Sequence, residues 1–323
     1  DAGYDKTAFE KMLEIKGDSD HTKLIDMLTD LNDYSIGIED VLKEHFDEEN
    51  IVYWMAFQIL MGNVDTQNRN VYLYSPLNSD IWYFIAWDND GCLMRPEYEL
   101  RNFSDQNSWE KGISNYWGNI LFQRCLKSRS FREKLNDAIL DLREYLNKDM
   151  LTSKIESYKN VLKPYLYLMP DAEYEPLTSE QYDQIAASLP DEIEKNYQLY
   201  LESLETPMPF YIGVPTIDGD KLKFNWDVSY DLDAEDITYS VEVAGDYLFR
   251  DVIYQNTTLT VPEAEMDLPK AGQYFVRVRA TNTSGKTQDA FDYYVTDEGK
   301  YYGMRCFYIT EDSTVEEDDY EEG

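Results

Sequence analysis

The spacing of apolar residues changes near residue 205, and this change constrains the fold more than any other feature of the sequence. Before it, apolar residues recur every three or four positions, which is typical of amphipathic helices. After it, short runs alternate apolar and polar residues with turn residues between them, which is typical of antiparallel strands. We therefore predict a multidomain α+β chain: a mainly helical domain at 1–205, an all-β sandwich at 206–310 and a flexible acidic tail at 311–323.

Several stretches of the first domain have helical spacing. His21–Leu31 follows Asp20, which is a suitable N-cap. A second helix is predicted from Ile51 to Ile59, before Gly62, because glycine commonly ends helices. The remaining predicted helices are Phe131–Tyr145, Met150–Leu162 and Ser179–Leu204, of which the last should kink or split at Pro190.

One segment interrupts the helical pattern. Val71–Ser75 and Ile81–Trp87 are β-branched and aromatic, and a turn-forming Pro-Leu-Asn-Ser-Asp sequence separates them. This pattern predicts a β-hairpin inserted in the helical domain. We expect its large aromatic residues to pack in the core rather than to form a ligand platform; they are Tyr72, Tyr74, Trp82 and Trp87.

The net charge of −35, from 64 acidic and 29 basic residues, excludes several kinds of partner. Nucleic acids and anionic membrane surfaces would both be repelled. No apolar run approaches the roughly 20 residues of a spanning helix, so membrane insertion is not expected. Hydrophobic residues nevertheless make up 43% of the chain, enough for a substantial core. Its three cysteines are far apart, which argues against a disulfide framework or a structural zinc site.

Basic residues are concentrated in one block. Residues 101–150 contain nine basic and seven acidic residues, and most of the excess lies in Arg124–Lys134. A solvated helix face is the simpler interpretation of this segment. Contact with a phosphate or with an acidic partner is the alternative.

A small group of carboxylates and amides carries the functional prediction. Asp65 is followed five positions later by Asn70, then by the predicted hairpin, and Asp88 stands at the hairpin's exit. Because a hairpin brings its two ends together, these three side chains should lie close to one another. Oxygen ligands of this kind suit Mg²⁺, which binds one or two carboxylates together with substrate phosphates. The same order of residues occurs in the catalytic and metal-binding loops of protein kinases, which perform phosphoryl transfer.

The residues around this group resemble the CotH (spore coat protein H) kinase family. The resemblance covers about residues 5–205 and is specific at 62–90, where Gly62-Asn63-x-Asp65-x4-Asn70-x-Tyr72-Leu73-Tyr74 is followed by Trp82-Tyr83-Phe84-Ile85-x-Trp87-Asp88-x-Asp90. It implies the helical large lobe of an atypical protein kinase that transfers phosphate from ATP to a protein hydroxyl. Asp65 would be the catalytic base, Asn70 and Asp88 the Mg²⁺ ligands, and Asp90 a second carboxylate near the metal.

Other parts of a kinase are not found in the sequence. No Gly-x-Gly sequence and no strand lysine precede Asp65, although kinases use both to hold the nucleotide phosphates. We therefore expect the chain to be a fragment without its small lobe, which alone would bind ATP poorly and transfer phosphate weakly or not at all. A degenerate relative is the alternative.

Different interpretations of the same residues remain open. Asp88, Asp90, Gly91 and Glu97 fall at positions of an EF-hand calcium loop, but the incoming element is a predicted strand. A plain turn, with its aspartates only capping, is another possibility. At the level of function, the rivals are a non-catalytic surface or adhesion scaffold with a kinase-like fold and, more remotely, a carbohydrate-active protein.

The second domain resembles a fibronectin type III or immunoglobulin-like sandwich. The pattern from Gly272 to Gly285 is similar to the F strand and the following turn, and Tyr274 suits a tyrosine corner in which the hydroxyl binds a neighbouring loop. Trp226 would fill the space between the sheets. The resemblance implies a spacer or a module for cell-surface partners, in a secreted or cell-surface bacterial protein.

Overall fold

The structure is a computed structural model that describes residues 20–67, 70–97, 109–297 and 299–317. Helices come first and are followed by several antiparallel sheets, which confirms the α+β class. The described residues form two compact units. The first contains residues 20–94 and Asn119–Lys195, and the second contains the remainder, including 95–97 and 109–118.

The five predicted helices are all present, three of them with longer bounds, together with two further helices within the described residues. They are α1 (Thr22–Asn32), α2 (Ile38–His45), α3 (Glu48–Met61), α4 (Ile120–Lys127), α5 (Arg129–Tyr145), α6 (Lys148–Leu166) and α7 (Ser179–Leu204). The strands β1 (Tyr72–Tyr74) and β2 (Tyr83–Ile85) form the predicted hairpin. No helix in the described part of the chain combines the length and the apolar composition of a transmembrane span.

The boundaries of α3 have clear local causes. The Asp47 carboxylate accepts a hydrogen bond from the Asn50 backbone amide at 2.9 Å and so caps the first turn. Gly62 ends the helix in the left-handed conformation, with φ of 59°, as predicted from its position. In α7, a kink or a split was predicted at Pro190; the helix continues through this residue, so there is no split. Ala186 and Ile193 are buried on either side of this proline, so packing holds the helix together despite the missing backbone donor.

Arg124 is a buried structural residue and not part of a solvated helix face. Its guanidinium donates hydrogen bonds to the backbone carbonyl of Leu31, in the last turn of α1, and to that of Ile36, in the segment that follows α1. It also reaches the carbonyls of Asp30 and Asp33 at 3.4 Å. The side chain therefore satisfies the carbonyls at the end of α1 and ties α1 to α4.

Two other basic residues of the same segment also form internal contacts. Arg132 donates to the Leu126 carbonyl at 2.6 Å, and Lys134 pairs with Glu48 of α3. Contacts within the first unit therefore explain much of the excess of basic residues in Arg124–Lys134.

The second unit is built from two main sheets. One has the order β3-β4-β7 and the other the order β13-β12-β8-β5-β6, with β9 added beside β8; β10 and β11 form a separate hairpin. The strands are β3 (Thr216–Asp218), β4 (Lys221–Asn225), β5 (Ile237–Ala244), β6 (Val252–Leu259), β7 (Glu263–Asp267), β8 (Gly272–Asn282), β9 (Thr287–Asp289), β10 (Tyr293–Thr296), β11 (Gly299–Tyr302), β12 (Met304–Ile309) and β13 (Val315–Glu317).

One apolar core joins these two sheets. Leu222 and Phe224 of β4 pack in the same cluster as Phe307 of β12 and as valines of β5 and β8. Trp226 lies in this cluster, as predicted, with its ring centroid 5.5 Å from that of Tyr239. The sheets therefore bury their inner faces against each other.

The segment 109–118 packs within the second unit through aromatic contacts. The ring of Trp109 meets that of Phe291 edge-on at 5.1 Å, and the ring of Trp117 stacks on that of Tyr230 at 5.5 Å. The backbone amide of Ile113 also donates to the Ser203 hydroxyl at 3.0 Å.

Part of the predicted flexible tail is ordered. Val315–Glu317 forms β13, which pairs antiparallel with β12 at the edge of the larger sheet. Arg305 also pairs with Glu317 at 2.9 Å. The acidic composition alone suggested a solvated, flexible tail. Backbone pairing with β12 and this ion pair instead hold the first part of the tail in place. Residues 318–323 lie outside the described residues.

We predict that Arg124→Met destabilises the first unit by on the order of 3 kcal/mol, because it leaves several carbonyls without their charged donor. Arg124→Lys is the matched control: it keeps the charge but cannot present a planar fork to carbonyls on two sides, so an intermediate loss is expected. Urea unfolding followed by the helical circular dichroism signal measures both. Equal stability of Arg124→Met and the wild type would contradict this role.

Candidate functional site

The hairpin is fixed to α3 by one side chain. The Asn50 amide donates to the Phe84 carbonyl at 3.1 Å, and its oxygen accepts from the Phe84 backbone amide at 2.7 Å. Asn50 therefore pairs with β2 as a neighbouring strand would. The buried Phe84 ring strengthens the attachment, since its centroid lies 4.7 Å from that of Trp54 on α3.

The hairpin register brings the two candidate loops together. Tyr72 lies opposite Ile85, and Tyr74 lies opposite Tyr83. The chain before Tyr72 and the chain after Ile85 therefore meet at the open end of the hairpin. The loop that follows α3 occupies one side of this end, and the loop that follows β2 occupies the other.

The outer face of the hairpin is exposed, which corrects one prediction. Tyr72, Tyr74 and Trp87 were expected in the core, yet 44%, 53% and 55% of their surfaces are accessible. The cause is the two-residue period of the strands: Phe84 faces α3, so its neighbours point outward, and a two-stranded hairpin has only one face on the core. Trp82 is half-buried. The rings of Tyr72 and Trp87 touch, with centroids 5.4 Å apart.

Three carboxylates meet at the open end. Asp65 begins a short 3-10 turn, and Asp88 immediately precedes another that contains Asp90. The negative charge of Asp90 is the main cause that raises the pKa of Asp88; burial, a hydrogen bond with Asp90 and the charge of Asp65 add to it. The structure therefore places Asp65 and Asp90 within electrostatic range of Asp88.

Gly91 lies close to the loop that follows α3. A methyl group at this position would lie 2.9 Å from the Asp65 Oδ2 atom and 2.9 Å from the Asn63 Oδ1 atom. Any side chain at position 91 would displace Asp65 from its place, so this position requires glycine. The sequence shows Gly91 merely as part of an Asn-Asp-Gly turn, and its contact with Asp65 requires the structure.

A buried amide network joins the loops, and sequence analysis did not assign it a role. Asn63 donates to the Gln58 side-chain oxygen at 3.0 Å, and Gln58 donates to the Asn89 side-chain oxygen at 3.2 Å. Asn63 also accepts from the Asp65 backbone amide at 3.2 Å. Gln58 is a fully buried polar residue within the apolar part of α3, and this is the signal that could have revealed the network.

Two predicted ligands have an unusual backbone. Asn70 and Asp88 adopt positive φ angles of 53° and 49°, a region in which asparagine and aspartate are enriched but which remains uncommon. The Asp88 side chain does not cap the turn that follows it, which weakens the interpretation of this loop as a simple capped turn. Among the contacts within the described residues, none links Asn70 directly to the three carboxylates.

Cys92 lies beside the same loops but is not a reactive thiol. Burial raises its pKa to about 12; a hydrogen bond from Asn63 lowers the pKa, while the charges of Asp90 and Asp65 raise it further. A thiol with this pKa stays protonated at neutral pH and is a poor nucleophile.

The donor set fits a magnesium ion that also binds phosphates. Within the described residues, no three or more side chains of His, Cys, Asp or Glu are arranged to enclose a metal. Mg²⁺ does not need such an enclosure, since it commonly takes one or two carboxylates and completes its shell with water and substrate phosphates. A carboxylate whose pKa is raised by the charges of neighbouring carboxylates, as that of Asp88 is, belongs to the kind of site that a cation would neutralise.

We predict that Gly91→Ala displaces Asp65 while leaving the hairpin folded, because the added methyl group cannot share space with the two side-chain oxygens. Gly37→Ala is the matched control in the same unit, since its methyl group would meet neighbours only at ordinary contact distances of 3.6 Å or more. Two-dimensional amide NMR should show shifts around Asp65 in the first variant and none there in the second. Unchanged resonances at residues 63–66 in Gly91→Ala would refute the contact.

Comparison with known proteins agrees with the motif. The family model described as CotH kinase protein matches residues 1–200, which is more than half of the chain. A search of curated proteins finds no match. Among solved structures, the chain is similar to the surface layer protein SbsC, domains 1-6, with 11% sequence identity and a TM-score of 0.17. That likeness covers 98% of this chain and 42% of the SbsC chain, and its TM-score is too low to support an argument about fold or function.

Proposed function

The chain belongs to the CotH kinase family, and from this premise we propose that it carries the large lobe of an atypical protein kinase that transfers the γ-phosphate of ATP to a protein hydroxyl. The observation that carries the proposal is the meeting of Asp65 with Asp88 and Asp90 at the open end of the hairpin. A phosphoryl-transfer site requires a carboxylate for the nucleophile and separate carboxylate or amide oxygens for the metal. These loops contain both.

The proposed roles follow from position and surroundings. Asp65 orients the attacking hydroxyl and accepts its proton, and the Asn63 side chain and Gly91 hold it in place. Asn70 and Asp88 would hold Mg²⁺, and Asp90 adds negative charge beside Asp88. When bound, the metal would neutralise the phosphates of ATP.

The exposed aromatic face of the hairpin supports a nucleotide ligand. Tyr72 and Trp87 present touching rings to solvent, and Trp87 directly precedes the proposed metal ligand Asp88. A nucleotide combines a flat base, which stacks on aromatic rings, with phosphates that require a cation. The arrangement therefore offers both kinds of contact in neighbouring residues.

We predict that Asp65→Asn lowers phosphate transfer by the natural full-length protein by about 10²- to 10³-fold, since the base is lost, and leaves the Mg·ATP dissociation constant nearly unchanged. Asp88→Asn should instead weaken Mg·ATP binding. Autophosphorylation with labelled ATP and calorimetric titration measure the two effects. Asp80→Asn, in the exposed turn at the far end of the hairpin, is the matched control and should change neither quantity.

The outcomes separate the kinase from its main rival. A full-length protein that binds no Mg·ATP, with Asp88→Asn making no difference, would refute the kinase proposal. Binding without transfer, unaffected by Asp65→Asn, would favour a non-catalytic surface or adhesion scaffold that retains a kinase-like fold.

For the second unit we propose a fibronectin type III-like module that serves as a spacer or binds surface partners of a secreted or cell-surface bacterial protein. A three-stranded sheet packed on a larger one, with Trp226 between them, supports this fold. The Tyr274 hydroxyl also donates to the Lys270 carbonyl at 2.8 Å, four residues upstream, as a tyrosine corner requires. Family membership of residues 1–200 supports the location.

We predict that Tyr274→Phe destabilises the second unit by about 1 kcal/mol through loss of this hydrogen bond. Tyr254→Phe on β6 is the control, because the described contacts of Tyr254 include no hydrogen bond through its hydroxyl. Thermal unfolding followed by tyrosine and tryptophan fluorescence compares the two variants. Equal melting temperatures would argue against a tyrosine corner.

A further inference from the structure

Helix α6 presents a continuous apolar face to solvent. No residue of this helix is buried. Tyr158 and Tyr165 are 62% and 66% exposed, and both lie on the same side of the helix. The exposed apolar residues of this α6 face are Tyr158, Val161, Leu162 and Tyr165, and Leu168 and Met169 just beyond the helix end continue it.

The opposite side of α6 is charged and faces α7. Lys159 and Lys163 both pair with Asp183, and Lys148 pairs with Asp191. Tyr167, one residue past the helix end, places its ring edge-on to that of Tyr182 at 6.3 Å. The helix is therefore the inverse of an ordinary surface helix, which turns its apolar side to the protein and its charges to water.

An exposed face of this kind requires a partner surface. Six large apolar side chains, each about half or more exposed, offer on the order of 600 Å² per copy. Contiguous apolar patches of this size on a folded protein usually mark interaction sites. If two such faces covered each other, they would bury roughly 1,200 Å², the lower end of the range for a stable interface.

The spacing along the face points to a second copy of the same helix. Tyr158 and Tyr165 are equally far from the midpoint between Val161 and Leu162, and so are Ile155 and Leu168. Two antiparallel copies of α6 with their two-fold axis at this midpoint would therefore bring the exposed Tyr158 of one copy opposite the exposed Tyr165 of the other, and the half-buried Ile155 opposite Leu168. We propose that the α6 face is a homodimer interface of this antiparallel, isologous kind.

The local charge also permits self-association. The chain as a whole carries −35, but α6 contains four lysines and only two acidic residues. When two copies join at α6, the strongly acidic regions of the chain lie outside the contact between the two helices. The remaining long-range repulsion between the copies is screened by salt, so the dimer should strengthen as salt concentration rises.

Sedimentation velocity of the full chain tests the interface. We expect a monomer–dimer equilibrium in the micromolar range that shifts toward dimer between low and moderate salt. Leu162→Glu, which places like charges across the two-fold axis, should weaken dimerisation by at least tenfold. Leu140→Glu, at an exposed position on α5, is the matched control and should leave it unchanged. A wild-type chain that stays monomeric at 100 µM would overturn the proposal.

Cross-linking tests the antiparallel register independently. Under oxidising conditions, a mixture of Tyr158→Cys and Tyr165→Cys proteins should form a disulfide-linked dimer far faster than either variant alone, because these positions face each other only in the antiparallel arrangement. Rapid cross-linking of Tyr158→Cys with itself would indicate a parallel pair. A dimer insensitive to Leu162→Glu in sedimentation would place the interface elsewhere. Either result refutes the proposed interface. Both tyrosines are exposed, so the variants should fold as the wild type does, which thermal unfolding verifies.

Discussion

The site depends first on the two hydrogen bonds between the Asn50 side chain and the backbone of Phe84. A two-stranded hairpin is marginally stable by itself, and here it gains a third hydrogen-bonding neighbour from a helix. The Phe84 ring then packs on Trp54 of that helix. Because the hairpin is fixed in this way, the loops at its open end have a defined separation, and the positions of Asp65 and Asp88 follow from it.

The second constraint is that these loops hold like charges together, with no basic residue at 62–67, 70 or 88–91, the part of them that the structure describes. Asp90 and Asp65 both raise the pKa of Asp88, and Asp88 additionally has a left-handed backbone. Uncharged groups stabilise the arrangement instead: the amides of Gln58, Asn63 and Asn89 satisfy one another. Amides suit this position because they hold the loops together by hydrogen bonds and carry no charge. The carboxylates therefore keep the negative charge that a cation or a phosphate-bound metal would use.

Local patterns in the sequence were sufficient for most of the helices and for the hairpin, and they pointed to the candidate carboxylates, whose roles stay a prediction. The end of α3 at Gly62 and the pairing of β1 with β2 follow from residue types and spacing alone. Contacts between distant residues were not predictable in this way: Gly91 against Asp65, or Arg124 against the carbonyls at the end of α1. The exposure of Trp87 was missed because alternation shows that a strand has two faces, but not whether both are covered.

The division of the chain into units has a consequence for its synthesis. Segment 109–118 packs in the second unit, although the part of the first unit from Asn119 to Lys195, with helices α4 to α6 and most of α7, follows it in sequence. The first unit therefore cannot close until Lys195 has left the ribosome, and this segment must wait longer still, until strands beyond residue 205 have emerged. Throughout that interval Trp109 and Trp117 lack the aromatic neighbours Phe291 and Tyr230, which makes the growing chain a candidate client for chaperones that recognise exposed aromatic side chains.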